Sequence, residues 1–558
     1  MTILTGQLDA LARAFFVRFF ESEITTGTDD LKQFFFWLLA ALAIPGLFIP
    51  WIMAFEWQLL ALIEGPEMVR IASRAEKTFY LGFSMIAAGM LAAVAWSSLL
   101  PDRRDTLILG ALPVRPRVVV QAKLLALAAY VGLVVAGMHA AGSIFWGSIL
   151  GDKVSLLFSV RGVAAHFIAS SAASMSVVLA VAATQGLTLS LVGPALFRRM
   201  STVLQVVVVG SMVLGLAALP TMNTAIVQTL SGGPRSQPWI LSLPPVWFLG
   251  LYEWLLGTSD PLLLELARRA VLTIAVTTLA TLVSYPLAYQ RLMASMVEMG
   301  SEPRNRIARV LHAILVQSAG RRPGAQAAAA FFTATIARVD RHRFVLAISV
   351  GLAIAWGLPG LRAFVPSARP APELLALPMA IMMFLTAGLR VAASLPSDVR
   401  AAWLFEVHDL SRPDARLALE RTMMMLGVVP AVALSTPIYW YLWGGAIAIS
   451  HALVMTSLGV ALVELLIWHS DGMPCGQRWT PARMDFGRRW PLHLALFLIV
   501  VWVIPRLESV LFNRPYAFAL FVLFLIVIAA CARYASARHR IIPVYEDVDP
   551  VAGVLRLN

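Results

Sequence analysis

A chain of 558 residues would divide into three or four soluble domains at about 150 residues each. Here 59% of residues are apolar and 13% charged, where soluble domains carry about 25% charged residues, and the mean hydropathy is +0.78. Only lipid accommodates so many apolar side chains, which makes this an all-α polytopic membrane protein and excludes a disordered chain or a disulfide-stapled secreted domain. The excess of 44 Lys and Arg over 31 Asp and Glu, +13, does not mark a nucleic-acid binder. The basic residues sit in short loops between apolar runs, a pattern that encodes topology. Cys475 and Cys531 lie in different segments, so neither a disulfide framework nor a thiolate metal cluster is available.

From the N-terminus, residues 8–20 (LDALARAFFVRFF) are apolar on one face and carry Arg13 and Arg18. They are too short to span and predict a helix lying in the membrane interface, with a cytoplasmic cap helix as the alternative. A hydrocarbon core of about 30 Å takes about 20 apolar residues in a helix. Runs of that kind fall near 33–54, 79–100, 118–147, 162–192, 202–220, 263–288, 344–364, 374–395, 422–441, 446–468, 491–510 and 516–534. They predict twelve spans, or eleven if runs within 422–468 or 491–534 merge. Asp9, Glu21, Asp29 and Asp30 precede the first long run, so no cleavable signal peptide is expected.

Orientation follows from arginine. Alternate loops hold Arg103, Arg104, Arg115 and Arg117; Arg198 and Arg199; nine arginines from Arg291 through Arg343; Arg400, Arg412 and Arg416; and Arg478, Arg483, Arg488 and Arg489. Positive loops stay inside. Both termini are therefore expected in the cytoplasm, with the chain in a plasma membrane, the inner membrane in a bacterium. The mixed stretch Glu56–Lys77 is placed mostly outside.

The second half repeats the first. Ser98-Leu-Leu-Pro-Asp-Arg-Arg-Asp105, then Leu107-Ile-Leu-Gly-Ala-Leu-Pro113 and Arg115-Pro116, is answered by Ser394-Leu-Pro-Ser-Asp-Val-Arg400, Trp403-Leu-Phe-Glu406 and Arg412-Pro413. Ala14-Phe-Phe is likewise answered by Ala330-Phe-Phe. The expected organisation is a first six-helix half over 1–300, an Arg-rich cytoplasmic linker over 301–325, and a second half over 326–558. In the second half an elbow-like segment covers 326–343 and the loop repeat covers 396–415. Paired repeats of this kind place a transport path at their interface. Within the first loop, prolines bracket Leu107, Ile108, Leu109 and Leu112, and Asp102 suits an N-cap, so 102–114 predicts a short helix. Its apolar face suits a groove on a partner; a helix lying on the lipid surface is the alternative.

The order of interfacial helix, two spans, LPDRRDTLILGALPVRPRVVVQAK and a long third span resembles the permeases of type-2 ATP-binding-cassette exporters. The likeness covers most of the first half and is looser in the second. It implies that 8–20 is the elbow helix and that 102–114 is the coupling helix seated in an ATPase subunit. Asp102, Arg103, Arg104, Asp105, Leu107, Leu109 and Leu112 would then contact the ATPase. Asp398, Arg400, Trp403, Phe405 and Glu406 would do so in the second copy. Leu243-Pro-Pro-Val-Trp-Phe-Leu-Gly-Leu-Tyr-Glu253 resembles that family's outward re-entrant region. Unlike the usual dimer of six-helix subunits, this chain fuses both halves, and its second loop, with Glu406, His408 and Asp409, is more acidic. The implied partner is a cytoplasmic ATPase present as two copies or a heterodimer, alongside membrane lipids and no nucleic acid.

The chain contains no G-x-x-x-x-G-K-[ST], so ATP and Mg²⁺ are expected on the partner and no cofactor on this chain. No H-E-x-x-H or C-x-x-C occurs, and no metal site or catalytic residue is expected. Ionisable groups at membrane depth are candidates for a substrate path: Glu464, Arg390, His139 and His166, each with interhelical hydrogen bonding as the alternative role. Arg268, Arg269 and Glu265 suit snorkelling. Trp51, Trp57, Trp146, Trp239, Trp247, Trp254, Trp440 and Trp443 suit interface anchors. Two other functions compete. An ion-coupled secondary transporter would need intramembrane acids, of which Glu464 is nearly alone. A membrane-embedded transferase on lipid-linked substrates would draw on Asp102 with Asp105 or Asp398 with Glu406. Nothing in the sequence identifies the cargo.

Overall fold

The computed structural model describes residues 2–20, 28–96, 114–151, 156–230, 232–233, 236–298, 306–362, 370–395, 397, 412–468, 474–476 and 495–538. No strand occurs among them. Nine helices among the described residues are long and apolar enough to cross a membrane: Ala43–Ile63, Arg117–Gly147, Val160–Phe197, Met200–Pro220, Pro261–Leu292, Pro372–Ser394, Pro413–Trp443, Gly445–Ile467 and Pro515–Ala535. This is a membrane-embedded helical protein. Of the remaining expected runs, 79–100 begins on a helix whose first turns carry Arg70, Arg74, Glu76 and Lys77. The run at 344–364 contributes a shorter apolar stretch, His342–Gly357, and 491–510 is described only from residue 495.

The described chain forms two compact units, Met1–Asn305 with Ile336–Arg362, and Arg306–Thr335 with Ala363–Asn558. In the first unit, α1 (Thr2–Phe20), α2 (Thr28–Ile63), α3 (Pro66–Val94), α4 (Pro116–Gly151) and α5 (Leu156–Leu230) are followed by α6 (Pro244–Leu255) and α7 (Pro261–Glu298). Next come α8 (Arg306–Ser318), α9 (Pro323–Arg338) and α10 (Asp340–Arg362). Of these, α8 belongs to the second unit and α10 to the first. The linker expected over 301–325 thus contains the thirteen-residue helix α8 and the start of α9. The seventh apolar run packs on the first unit, where Ala347 joins Ala93 and Val209 in one buried cluster. Gly351 and Gly210 permit that approach, since a Cβ on Gly351 would stand 2.9 Å from the Gly210 Cα; small residues let membrane helices pack this closely.

The second unit continues with α11 (Pro372–Ser394), α12 (Arg412–Met423), a π-helical turn Met424–Val428, α13 (Val429–Trp443) and α14 (Gly445–Ile467). A second π-helical turn, Ile499–Val503, then leads into α15 (Ile504–Leu511), and α16 (Pro515–Arg538) ends the described chain. Proline opens α3, α4, α6, α7, α9, α11 and α16, at the first helical position where its missing N–H costs nothing. Gly444, at φ 89°, turns the chain between α13 and α14 in a single residue, a conformation other residues adopt only with strain. In α5 the helix breaks at Gly193, φ 78°, directly before Pro194.

The expected elbow at 8–20 lies within α1. Its Ala12 and Phe15 are buried against Val119, Val120, Ala122 and Ala126 of α4 and Tyr285 and Tyr289 of α7, while Arg13 pairs with Asp9 in the open. Of the tryptophans expected as interface anchors, Trp57 and Trp146 are instead buried, in ring contact at 5.6 Å.

Candidate functional site

Buried charge is the costliest feature of a membrane protein and therefore the one most tied to its role. In the first unit, Lys77 of α3 donates to Glu253 Oε1 of α6 at 2.8 Å, with side chains 1% and 0% exposed. Arg74, one helical turn earlier on the same face, brings its Nε to 3.9 Å from Oε2. The Lys77 ammonium also lies 4.7 Å above the Tyr252 ring, a cation–π geometry. Next to it, Glu76 is half-buried, and burial raises its carboxyl above the ordinary carboxylate range; Glu56 pushes the same way, while Lys77 opposes.

Further along α3, the Tyr80 hydroxyl is hydrogen-bonded to His139 Nδ1 of α4 at 2.8 Å. His139 Nε2 reaches Ser174 Oγ of α5 at 2.9 Å, and Ser174 donates to the Ser84 carbonyl. His166 stacks on Trp146 with ring centroids 5.2 Å apart and meets Tyr80 and Tyr252 at 4.9 and 5.7 Å. Four elements, α3 to α6, therefore converge on one buried knot of charge, imidazole and aromatic rings.

The second unit holds a comparable pair. His451 Nδ1 of α14 sits 3.0 Å from both carboxylate oxygens of Glu508 on α15, with side chains 1% and 0% exposed. The Tyr439 ring of α13 packs on His451 at 5.1 Å, and its hydroxyl donates to the Leu374 carbonyl of α11. Towards the opposite end of α14, Glu464 accepts from Arg416 of α12 at 2.7 Å. Arg533 of α16 lies 3.8 Å from Glu464 and 3.5 Å from Glu420. A cavity of about 90 Å³ opens there, lined by Glu420, Arg421, Glu464 and Arg533 with Met424, Val460 and Val463.

The residues expected at membrane depth fall into place unevenly. His139 and His166 meet in the first-unit knot. Glu464 is buried within an ion-pair network. Arg390, whose Nε donates to the Leu466 carbonyl, holds the end of the same helix. All the expected ATPase contacts, Asp102, Arg103, Arg104, Asp105, Leu107, Leu109 and Leu112 with Asp398, Arg400, Trp403, Phe405 and Glu406, lie outside the described residues. Sequence reasoning passed over Lys77, Glu253, His451 and Glu508. A signal existed for Glu508, an acid inside the 491–510 run. Among the described residues, no three His, Cys, Asp or Glu side chains are placed to hold a metal.

No family model matches the sequence, and neither a curated protein nor a solved structure is significantly similar to it.

Proposed function

We propose that this chain is the membrane-spanning permease of an ATP-driven exporter of the type-2 ATP-binding-cassette kind. Two six-helix halves would be fused in one chain, with twelve spans and both termini in the cytoplasm. The observation that carries the proposal is the repeated loop: a proline-bracketed, arginine-led apolar segment after the second span, Pro101–Pro113, returns at 396–415. A twice-repeated docking segment suits a two-fold partner, an ATPase present as two copies or a heterodimer that supplies ATP and Mg²⁺. The chain does form two compact helical units, with the seventh expected run in the first of them. Closure of the ATPase would draw on the loops and alternate access between the lobes.

The test is purification from native membranes followed by a search for a co-purifying P-loop ATPase, with transport assayed in parallel. Arg104→Glu and Leu109→Asp should abolish ATPase association and transport while leaving membrane insertion intact. Normal transport by both variants would overturn the coupling assignment.

A second reading, an ion-coupled secondary transporter, is favoured by one observation. Glu253 and Glu508 add two fully buried acids to Glu464, three buried carboxylates where the sequence offered nearly one. Transport that survives removal of every ATPase and collapses with a protonophore would select it.

A further inference from the structure

The two units bury a glutamate in the same place along the chain and neutralise it differently. Glu253 lies on the short helix α6, eight positions before Pro261 opens α7 (261 − 253 = 8), and Glu508 lies on α15, the last turns of a helical stretch that begins at 495, seven before Pro515 opens α16 (515 − 508 = 7). Each glutamate is fully buried, and each has an aromatic ring against its partner, Tyr252 over Lys77 and Tyr439 over His451. In the second unit the place of the lysine is taken by His451 of α14, whose Nδ1 lies 3.0 Å from both carboxylate oxygens of Glu508. Lysine is a cation throughout the physiological range, whereas histidine gains and loses its charge within it.

We propose that the His451–Glu508 pair is a proton-binding site, and that loss of its proton releases α15 from α14. The pair shares one proton in its neutral state, as imidazolium with carboxylate or as imidazole with carboxylic acid. Withdrawal of that proton leaves an uncompensated carboxylate where both side chains are shut off from water, a state far costlier than the pair. The carboxylate regains solvation only if α15 moves. Among the described residues, the elements packed around the pair supply no substitute cation. On α15, Arg506 stacks on Trp502 and faces Glu373 of α11 at 3.9 Å. On α13 the facing titratable group is Tyr439, committed to Leu374. On α14, α11 and α16 the other charged groups, Glu464, Arg390 and Arg533, belong to the far end of the unit, with Arg416 and Glu420. The π-helical turn at Ile499–Val503 directly precedes α15; such turns are frequent where a helix serves function. The site stands on the second unit alone and does not depend on the exporter reading.

The experiment uses the full chain in proteoliposomes, with Cys531→Ser and a reporter Ile504→Cys, buried on α15, compared with Val510→Cys, exposed on the same helix. The ratio of their labelling rates with a maleimide cancels the pH dependence of the thiol itself. Between about pH 6 and pH 9, across the histidine range, that ratio should rise about tenfold with His451 present. It should stay flat in His451→Lys, which copies the lysine of the first half. Glu508→Gln, which has no carboxylate to expose, should also abolish the response. A flat ratio in the wild-type background, or a pH response that persists in whichever variant inserts, overturns the proposal.

Discussion

Replacing Lys77 by Met and Glu253 by Gln, singly and together, tests whether the first-unit pair is held by charge. At an effective dielectric of about 20, two unit charges 2.8 Å apart attract by about 332/(20 × 2.8), or 6 kcal/mol, and at 3.9 Å by about 4 kcal/mol; these distances are those of Lys77 and Arg74 from Glu253. Most of this gross attraction offsets desolvation, so the informative quantity is what a broken pair leaves behind, about 3–5 kcal/mol for one buried, uncompensated charge. Lys77→Met leaves Glu253 with Arg74 beside it and should cost less, about 2–3 kcal/mol by the same reasoning. Glu253→Gln leaves two cations, Lys77 and Arg74, side by side without that carboxylate and should cost about 3–5 kcal/mol. The double variant leaves Arg74 alone at the partly exposed edge and should recover much of the loss. Unfolding in mixed micelles, followed by tryptophan fluorescence, ranks the variants by midpoint. Both single variants falling within about 0.5 kcal/mol of wild type, the range of ordinary surface changes, would refute the account. So would Lys77→Met proving the more damaging of the two.

Three further outcomes follow from local geometry. A Cβ on Gly250 would stand 2.6 Å from Ala267 N and 2.7 Å from Leu263 O, both backbone atoms, so Gly250→Ala should push α6 off α7 and lower stability by about 1–3 kcal/mol, read by the same midpoints. Glu76 has its carboxyl raised by burial, so the folded state binds that proton more readily than the unfolded chain. Its contribution is a penalty, absent below the unfolded pKa and fully present above the folded one. Stability should therefore rise as pH falls through that window, and Glu76→Gln should raise the midpoint at neutral pH and flatten that part of the profile. Cys475 donates its backbone N–H to Ala393 and accepts from Ser397 N, and burial pushes its thiol above the ordinary range. Native protein should consequently show no Cys475 alkylation at pH 8, with full labelling after denaturation, checked by peptide mass.

Helices were legible because each long one needs only its own residues: apolar runs, proline at the first position and glycine at the turns. The membrane class follows from the same runs. Partners in the buried pairs are a different kind of information. Lys77 and Glu253 stand 176 positions apart and His451 and Glu508 57 apart, and each partner alone reads as an ordinary flank of an apolar run. Trp146 illustrates the same limit: beside an expected span it suits an interface anchor, yet stacking on His166 takes it into the core. Grouping α10 with the first unit rests on Gly210 meeting Gly351, a match of two surfaces that no local pattern announces.

Why Glu253 and Glu508 need partners fixed so closely on α6 and α15 has a physical answer. α6 has twelve residues, and α15 ends a continuous helical stretch that runs from 495 through the π-helical turn to 511; both are near the length, about 12–15 residues in water, at which an isolated helix is marginal, so tertiary contacts must fix their position. Apolar packing against neighbouring helices is tolerant of sliding and rotation, because one leucine substitutes for the next. A buried carboxylate is not tolerant: it needs its cation at hydrogen-bonding distance, and any other arrangement carries a large penalty. The pairs therefore contribute position more than net stability. For α6, the double variant Lys77→Met with Glu253→Gln should separate these roles, regaining the unfolding midpoint while α6 amides exchange with solvent faster than in wild type. Midpoint and α6 exchange rate returning together would show that the pair supplies stability alone, and that the glutamate does not set where the short helix lies.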